Sequence, residues 1–312
     1  MQALGGSLVV DLTRHLPGAF ASRELLRLGA RVVRVEPPGG TLMRTTTPEW
    51  HERLNAGKES VVCDLPAEAA FARSLLARAD VVLEAFRPGV AEQLGVGPQH
   101  APASAVYCSI TGFGVGNRHE ARVGHDLNYM GWAGVLDATG TALPPVQAAD
   151  LAGGALVAVN RILAALLVRA ATGDGSRIVV SITHGAHELA SRAPALTQNL
   201  ACYSIYETAD GRRLTVGALE PKFFARLCTL LERPDWIARQ YGDGQPALRE
   251  ELAATFRRRP LADWLRLFED EDVCVGPVAT LAEAEADFGS PATSRSASLG
   301  EHTEAWREAV RA

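Results

Sequence analysis

Three titratable residues stand in short contexts suited to proton transfer. His125 lies in Gly124-His125-Asp126-Leu127-Asn128-Tyr129, at the predicted start of a helix. A helix N-terminus carries the positive end of the backbone dipole and favours uncharged imidazole, which can accept a proton near neutral pH. Asp150 opens a second predicted helix in Ala149-Asp150-Leu151-Ala152-Gly153-Gly154, where small residues let a ligand approach the first-turn amides. Glu220 ends a strand in Gly217-Ala218-Leu219-Glu220-Pro221-Lys222-Phe223-Phe224, with proline at the first helical position. Each also has a structural reading, Asp150 and Glu220 as helix caps and His125 as a surface histidine. The residues alone leave both readings open.

Other motifs carry less. Gly112-Phe113-Gly114-Val115-Gly116 follows a strand, but Asn117 stands where a dinucleotide fingerprint needs its third glycine, so a tight irregular loop is expected. His184 and His187 in His184-Gly185-Ala186-His187-Glu188 lack a third ligand and read as a polar helix face, so no metal site is expected. The five cysteines are scattered without a CxxC pair, so neither a disulfide framework nor a structural zinc site is indicated. Cys63, Cys108 and Cys274 sit in apolar runs and are expected to be buried.

The elements that must position these residues follow an α/β pattern. Strands are predicted at Leu8–Asp11, Val32–Val35, Val61–Cys63, Val81–Leu83, Val106–Ile110 and Arg177–Ser181. Helical stretches Ala19–Leu28, Ala67–Ala77, Val90–Leu94, His125–Leu136 and Asp150–Arg169 lie between them. Alternation of this kind specifies a parallel sheet covered on both faces, with ligands outside the carboxyl ends of the strands. After about residue 200 a hairpin (Tyr206–Arg212 with Leu214–Val216) precedes helices Lys222–Leu231, Ala247–Arg257 and Leu261–Phe268. Residues 1–195, completed by 286–312, are expected to form a large ligand-binding α/β domain, and 200–285 a small α+β domain. Phe288–Leu299 reads as a linker, and Thr303–Val310 as a last helix.

The chain has 312 residues, 47% hydrophobic and 21% charged, with net charge −5. No global positive field recruits nucleic acid or anionic membrane, so an anionic ligand needs local cations. Gly153–Ala171 is the most apolar long segment, but Asn160 and Arg161 interrupt it, so a buried helix is expected rather than a membrane span. Met1–Val10 lacks the basic region and apolar run of a signal peptide, and a cytoplasmic location is expected.

Ordered motifs along nearly the whole chain resemble the class III coenzyme A-transferases (CaiB/BaiF) together with the α-methylacyl-CoA racemases. They include Val10-Asp11-Leu12-Thr13-Arg14 with Pro17-Gly18, then Leu28-Gly29-Ala30-Arg31-Val32-Val33-Arg34-Val35-Glu36-Pro37 and Asn55-Ala56-Gly57-Lys58-Glu59-Ser60. Ala79–Glu84 with Arg87-Pro88-Gly89, Thr111-Gly112-Phe113-Gly114, Tyr206–Gly211 and Leu299-Gly300-Glu301-His302-Thr303 continue the match. The resemblance implies a Rossmann-like large domain with a smaller α+β domain, an interlocked homodimer, and chemistry on acyl-CoA thioesters. Coenzyme A then enters as part of the substrate, with no separate cofactor.

Within that family Asp150 matches the aspartate that transferases use as nucleophile, through a mixed anhydride, and that racemases use as a base. His125 and Glu220 match the racemase additions, and a transferase has no mechanistic need of that histidine. The resemblance thus favours a 2-methylacyl-CoA racemase, with the transferase as alternative. Inversion at the α-carbon needs an acid and a base on opposite faces, and the enolate oxygen needs donors, for which the amides after Asp150 are expected. Phe86, Arg87 and the segment Gly124, Asp126, Leu127, Asn128 and Tyr129 match coenzyme A contacts. Pro37 and Gln93 replace basic residues, so Arg34 or Arg44 is expected to meet phosphate. With methionine only at 1, 43 and 130, a smaller or more polar acyl group is expected.

Overall fold

The computed structural model describes residues 2–138, 143–190, 200–289 and 295–311. The chain divides into two compact units, Met1–Ala190 with Pro291–Ala312, and Ser191–Ser290.

The first unit is built on a six-stranded sheet of β1 (Leu8–Asp11), β2 (Arg31–Glu36), β3 (Glu59–Val62), β4 (Val81–Glu84), β5 (Val106–Thr111) and β6 (Ser176–Ser181). The order is β3-β2-β1-β4-β5-β6, and every pair is parallel. Strand side chains alternate between faces, so Val9, Val32, Val81 and Leu83 enter one apolar core. Val10, Val33, Val61 and Val82 enter the other. The strand order reverses between β1 and β4, and the crevice outside the carboxyl ends of those strands is where such sheets hold ligands. Helix Leu16–Arg27 follows β1. A π-helical opening, Ala149–Leu156, continues as the α-helix Val157–Thr172. That segment is long and apolar enough to cross a membrane. Its inner face, with Ala155, Ala158 and Ile162, is buried in the sheet's core, while Leu167 and Val168 are exposed.

Glu36 stays in β2 although the next residues form a turn. Its buried carboxylate accepts Arg44 Nε at 2.9 Å and Nη2 at 2.6 Å, and lies 3.2 Å from Arg34 Nη1. Residues 290–294 of the expected linker lie outside the described residues. Beyond them the chain is pinned to the sheet edge: Ser296 donates through its amide (2.6 Å) and hydroxyl (2.8 Å) to Glu52, and the Thr303 hydroxyl accepts the Val62 N–H at 3.0 Å.

The second unit holds an antiparallel sheet of β7 (Tyr203–Glu207), β8 (Arg213–Gly217) and β9 (Val275–Pro277), in that order. Its core gathers Tyr206, Leu214, Phe224, Trp236, Phe256 and Trp264. Helix Leu281–Phe288, unforeseen from the sequence, is started by Thr280 and Glu283 in reciprocal capping bonds. Cys63 and Cys108 are buried, as expected, but Cys274 is exposed and takes a left-handed φ of 49° as the chain enters β9.

Candidate active site

A cleft of about 580 Å³ opens at the β1/β4 switch point, with His15 and Pro17 after β1 and Ala85, Phe86 and Arg87 after β4. Ile110 and Thr111 line it from β5 and Gly112 from the loop that follows, and Gly124, His125, Asn128, Tyr129 and Asp150 are also part of the wall. His125 and Asp150, 25 residues apart in sequence, thus face one cavity.

His125 stands at the N-cap of helix Asp126–Trp132 in extended conformation, and its N–H donates to Asn128 Oδ1 at 3.0 Å. Its carbonyl accepts the amides of Asn128 (2.8 Å) and Tyr129 (3.1 Å). These bonds fix the backbone, and the imidazole lies edge-on to the His15 ring with centroids 6.0 Å apart. The Tyr129 ring wedges between two glycines. A Cβ on Gly112 would lie 2.6 Å from the ring, and one on Gly124 would lie 2.9 Å from it. The Tyr129 hydroxyl donates to the Gly124 carbonyl at 2.5 Å. Glycine is therefore needed at Gly112 for packing, and the Gly112–Gly116 stretch forms an irregular loop rather than opening a helix.

Asp150 is 8% exposed, and its Oδ1 has no hydrogen-bond partner among the described residues. Burial, reinforced by the nearby Asp126 charge, pushes its carboxyl up to about 7. Burial likewise raises Asp126 above the ordinary carboxyl range. The same Asp126 carboxylate accepts the Asp150 N–H at 2.8 Å, capping the π-helical opening from a different element. Burial, then the Asp150 charge, pushes Tyr129 up to about 12.

Two expectations change here. The amides opening the helix are already used, Asp150 N–H on Asp126 and Leu151 N–H on the Gln147 carbonyl at 2.9 Å. Gly153 serves packing rather than ligand approach. Its Cβ would meet Ala186 N at 2.6 Å, and a Cβ on Gly185 of helix Ile182–Leu189 would meet the Gly153 carbonyl oxygen at 2.1 Å.

Of the expected coenzyme A contacts, Phe86, Arg87, Gly124, Asn128 and Tyr129 line the cleft, whereas Asp126 and Leu127 do not. The Phe86 N–H is held by Glu84 Oε2 at 2.7 Å, and burial pushes Glu84 itself up to about 7. Arg34 corrects the expectation of a phosphate ligand. It is 2% exposed, and its amino groups are spent on His51 Nε2 (2.8 Å), Thr41 Oγ1 (2.8 Å) and Glu36. A buried, paired guanidinium cannot meet a solvent-borne phosphate without leaving that site empty of its cation. Arg44 is committed to Glu36 and the Ala297 carbonyl. Arg122 lines the cleft instead, its guanidinium 5.2 Å from the Trp132 ring centroid and its Nε 3.0 Å from His119 Nδ1.

Glu220 belongs to the second unit, at the N-cap of helix Pro221–Leu230, where it is exposed and its carbonyl accepts the Phe223 amide at 3.0 Å. The sequence reading missed His15, and two signals mark it: its position just beyond β1, and Pro17 opening the helix after it. His184 and His187 form no metal cluster among the described residues; His187 Nδ1 lies 2.9 Å from the Ala133 carbonyl.

The polar network beneath the cleft accounts for several of the sequence motifs. Asp11 accepts the Thr13 N–H (2.8 Å), the Thr13 hydroxyl (2.6 Å) and the Ser22 hydroxyl (2.6 Å). Lys58 Nζ donates to the Ala19 carbonyl (2.8 Å), Ser22 Oγ (2.8 Å) and Asn55 Oδ1 (3.0 Å). These bonds tie helix Leu16–Arg27, and with it His15, to the end of β1.

The model of "CoA-transferase family III" matches residues 4–305. Human "Alpha-methylacyl-CoA racemase" is 36% identical over 308 residues, covering 90% of this chain and 79% of that protein. Mouse "Succinyl-CoA:glutarate CoA-transferase" is 30% identical over 328 residues, covering 91% and 73%. Among solved structures, a hypothetical protein from Mycobacterium tuberculosis matches with a TM-score of 0.83 at 29% identity, covering 98% of this chain and 99% of that one. A CaiB/BaiF family protein from Brucella suis gives 0.84 at 26%, covering 98% and 99%. With the sheet order, the switch-point cleft and these matches together, the chain belongs to CoA-transferase family III.

Proposed function

We propose that the protein is an acyl-CoA racemase acting on 2-methylacyl-CoA thioesters by α-proton removal and return. The observation that carries this reading is the pairing, in one cleft, of His125 with a buried Asp150 whose Oδ1 has no partner among the described residues and whose pKa is about 7. A carboxyl that titrates near neutrality serves equally as base and acid, which a reaction reversible through an enolate requires. Asp150 takes the proton on one face and His125 returns it on the other, and the roles exchange with direction. Glu220 is the carboxylate proposed to orient the imidazole. The resemblance supplies that pairing. Phe86, Arg87 and the Gly124–Tyr129 segment are proposed to receive coenzyme A, which arrives as part of the substrate, with no resident cofactor. Exposed Leu167, Val168 and Leu189 are in keeping with a homodimer. A cytoplasmic location completes the proposal.

The transferase named among the relatives favours a second reading, in which the unpartnered Asp150 oxygen attacks the thioester carbon to form a mixed anhydride. The two separate in one experiment. Incubated in D₂O with a 2-methylacyl-CoA and no acceptor acid, a racemase incorporates deuterium at the α-carbon. A transferase does not, but moves coenzyme A to an added free acid, and hydroxylamine traps acylated Asp150.

A further inference from the structure

We propose that His15 is a further catalytic residue, whose imidazole N–H stabilises the thioester oxygen while the α-carbon is deprotonated. This rests on the racemase reading above. When the base takes the α-proton, the C–H electron pair becomes the carbon–carbon double bond and the carbonyl π pair moves onto oxygen. That oxygen needs a preorganised donor until the opposite acid returns a proton to carbon. His15 keeps its own proton throughout.

Several of the cleft's other donors are committed, and Arg87 is the cation proposed for coenzyme A. The amides of Asp150 and Leu151 are bonded to Asp126 and Gln147. The Tyr129 hydroxyl is spent on Gly124, the Thr111 hydroxyl on the Val180 carbonyl at 2.9 Å, and Arg122 Nε on His119. His15 lines the same cavity as Asp150, and its ring borders that of His125 at 82°. Its backbone is fixed as the N-cap of the twelve-residue helix Leu16–Arg27, with its carbonyl accepting the Ala19 amide at 3.1 Å. The lysine-centred network under that helix holds it against the sheet.

Protonation suits the role. Desolvation against the cleft wall, then His125 and Arg14, hold the His15 imidazole below its ordinary value. A neutral ring has one N–H to give and adds no positive charge beside His125 when that residue becomes imidazolium. A guanidinium in the same place would oppose that step.

The test compares His15→Leu and His15→Asn with the unaltered protein, measuring deuterium entry from D₂O into each enantiomer of 2-methylbutanoyl-CoA. An oxygen donor serves both directions, so His15→Leu should lower kcat for both enantiomers alike, by about 10- to 100-fold, with KM little changed. His15→Asn, which keeps an N–H, should recover part of the loss. A change below about twofold in His15→Leu, or a loss confined to one enantiomer, overturns the assignment. Absence of exchange by the unaltered protein would instead refute the racemase reading, and the assignment with it.

Discussion

Replacing Asp126 by asparagine should lower the pH at which Asp150 titrates while leaving the helix opening capped. The side-chain oxygen of the introduced asparagine would still accept the Asp150 amide, which Asp126 now holds at 2.8 Å. The charge, however, would be gone. Asp150 stands at about 7 against an ordinary 3.8, with burial the larger cause and Asp126 the smaller. The rise is about 3 pH units and burial is its larger cause, so losing the Asp126 charge lowers the midpoint by less than about 1.5, to between about 5.5 and 7. The assay is deuterium incorporation into each enantiomer of a 2-methylacyl-CoA between pH 5 and 9. The pair is active when it holds one proton, on His125 when Asp150 is the base and on Asp150 when His125 is, so kcat/KM for both enantiomers should follow the same bell-shaped pH dependence. That profile should move down in pH in Asp126→Asn, for both enantiomers together. An unmoved or raised profile, or profiles that differ between the enantiomers, would refute the assignment of Asp150 as the shared acid and base.

Two further predictions concern the buried polar network. Lys58→Met removes the ammonium that the Ala19 carbonyl, Ser22 hydroxyl and Asn55 amide oxygen now accept from. It should cost about 3 kcal/mol in urea unfolding, and a loss below about 1 kcal/mol would contradict the network's role. His51 is held down to about 4 by burial and by Arg34 and Arg44, against an ordinary 6.5. A histidine that stays neutral when folded but charges when unfolded withdraws stability as pH falls. That contribution is whole above about 6.5 and lost progressively toward about 4, so the urea midpoint should drop across that window and drop less in His51→Gln. Parallel declines in the two proteins would remove His51 as the cause.

Much of the sheet was legible because its strands are short β-branched runs buried on both faces. Leu8–Asp11 was read to the residue. The βα alternation put ligands outside the carboxyl ends of the strands, while the order that sets the switch point between β1 and β4 is given by the structure. Local patterns failed where long-range partners decide. Glu36 looks like a turn residue until its two arginines are in place, and β9 forms only because β8 offers an edge to three residues. Arg34 reads as an available cation, but its buried partners come from residues 36, 41 and 51. Gly153 reads as room for a ligand, yet a glycine 32 residues later fills that room. His125 and Asp150 were found through their sequence contexts. His15 is marked only by its place just beyond β1 and by Pro17 after it, signals too general to single it out until the first helix is set against the cleft.

The account stands most directly on racemisation by the unaltered protein and by Asp150→Ala, followed as α-deuterium incorporation from D₂O with either enantiomer and no acceptor acid. It predicts incorporation with both enantiomers for the unaltered protein and none with either for the variant. Full exchange retained by Asp150→Ala, or coenzyme A transfer without α-exchange in the unaltered protein, would contradict it.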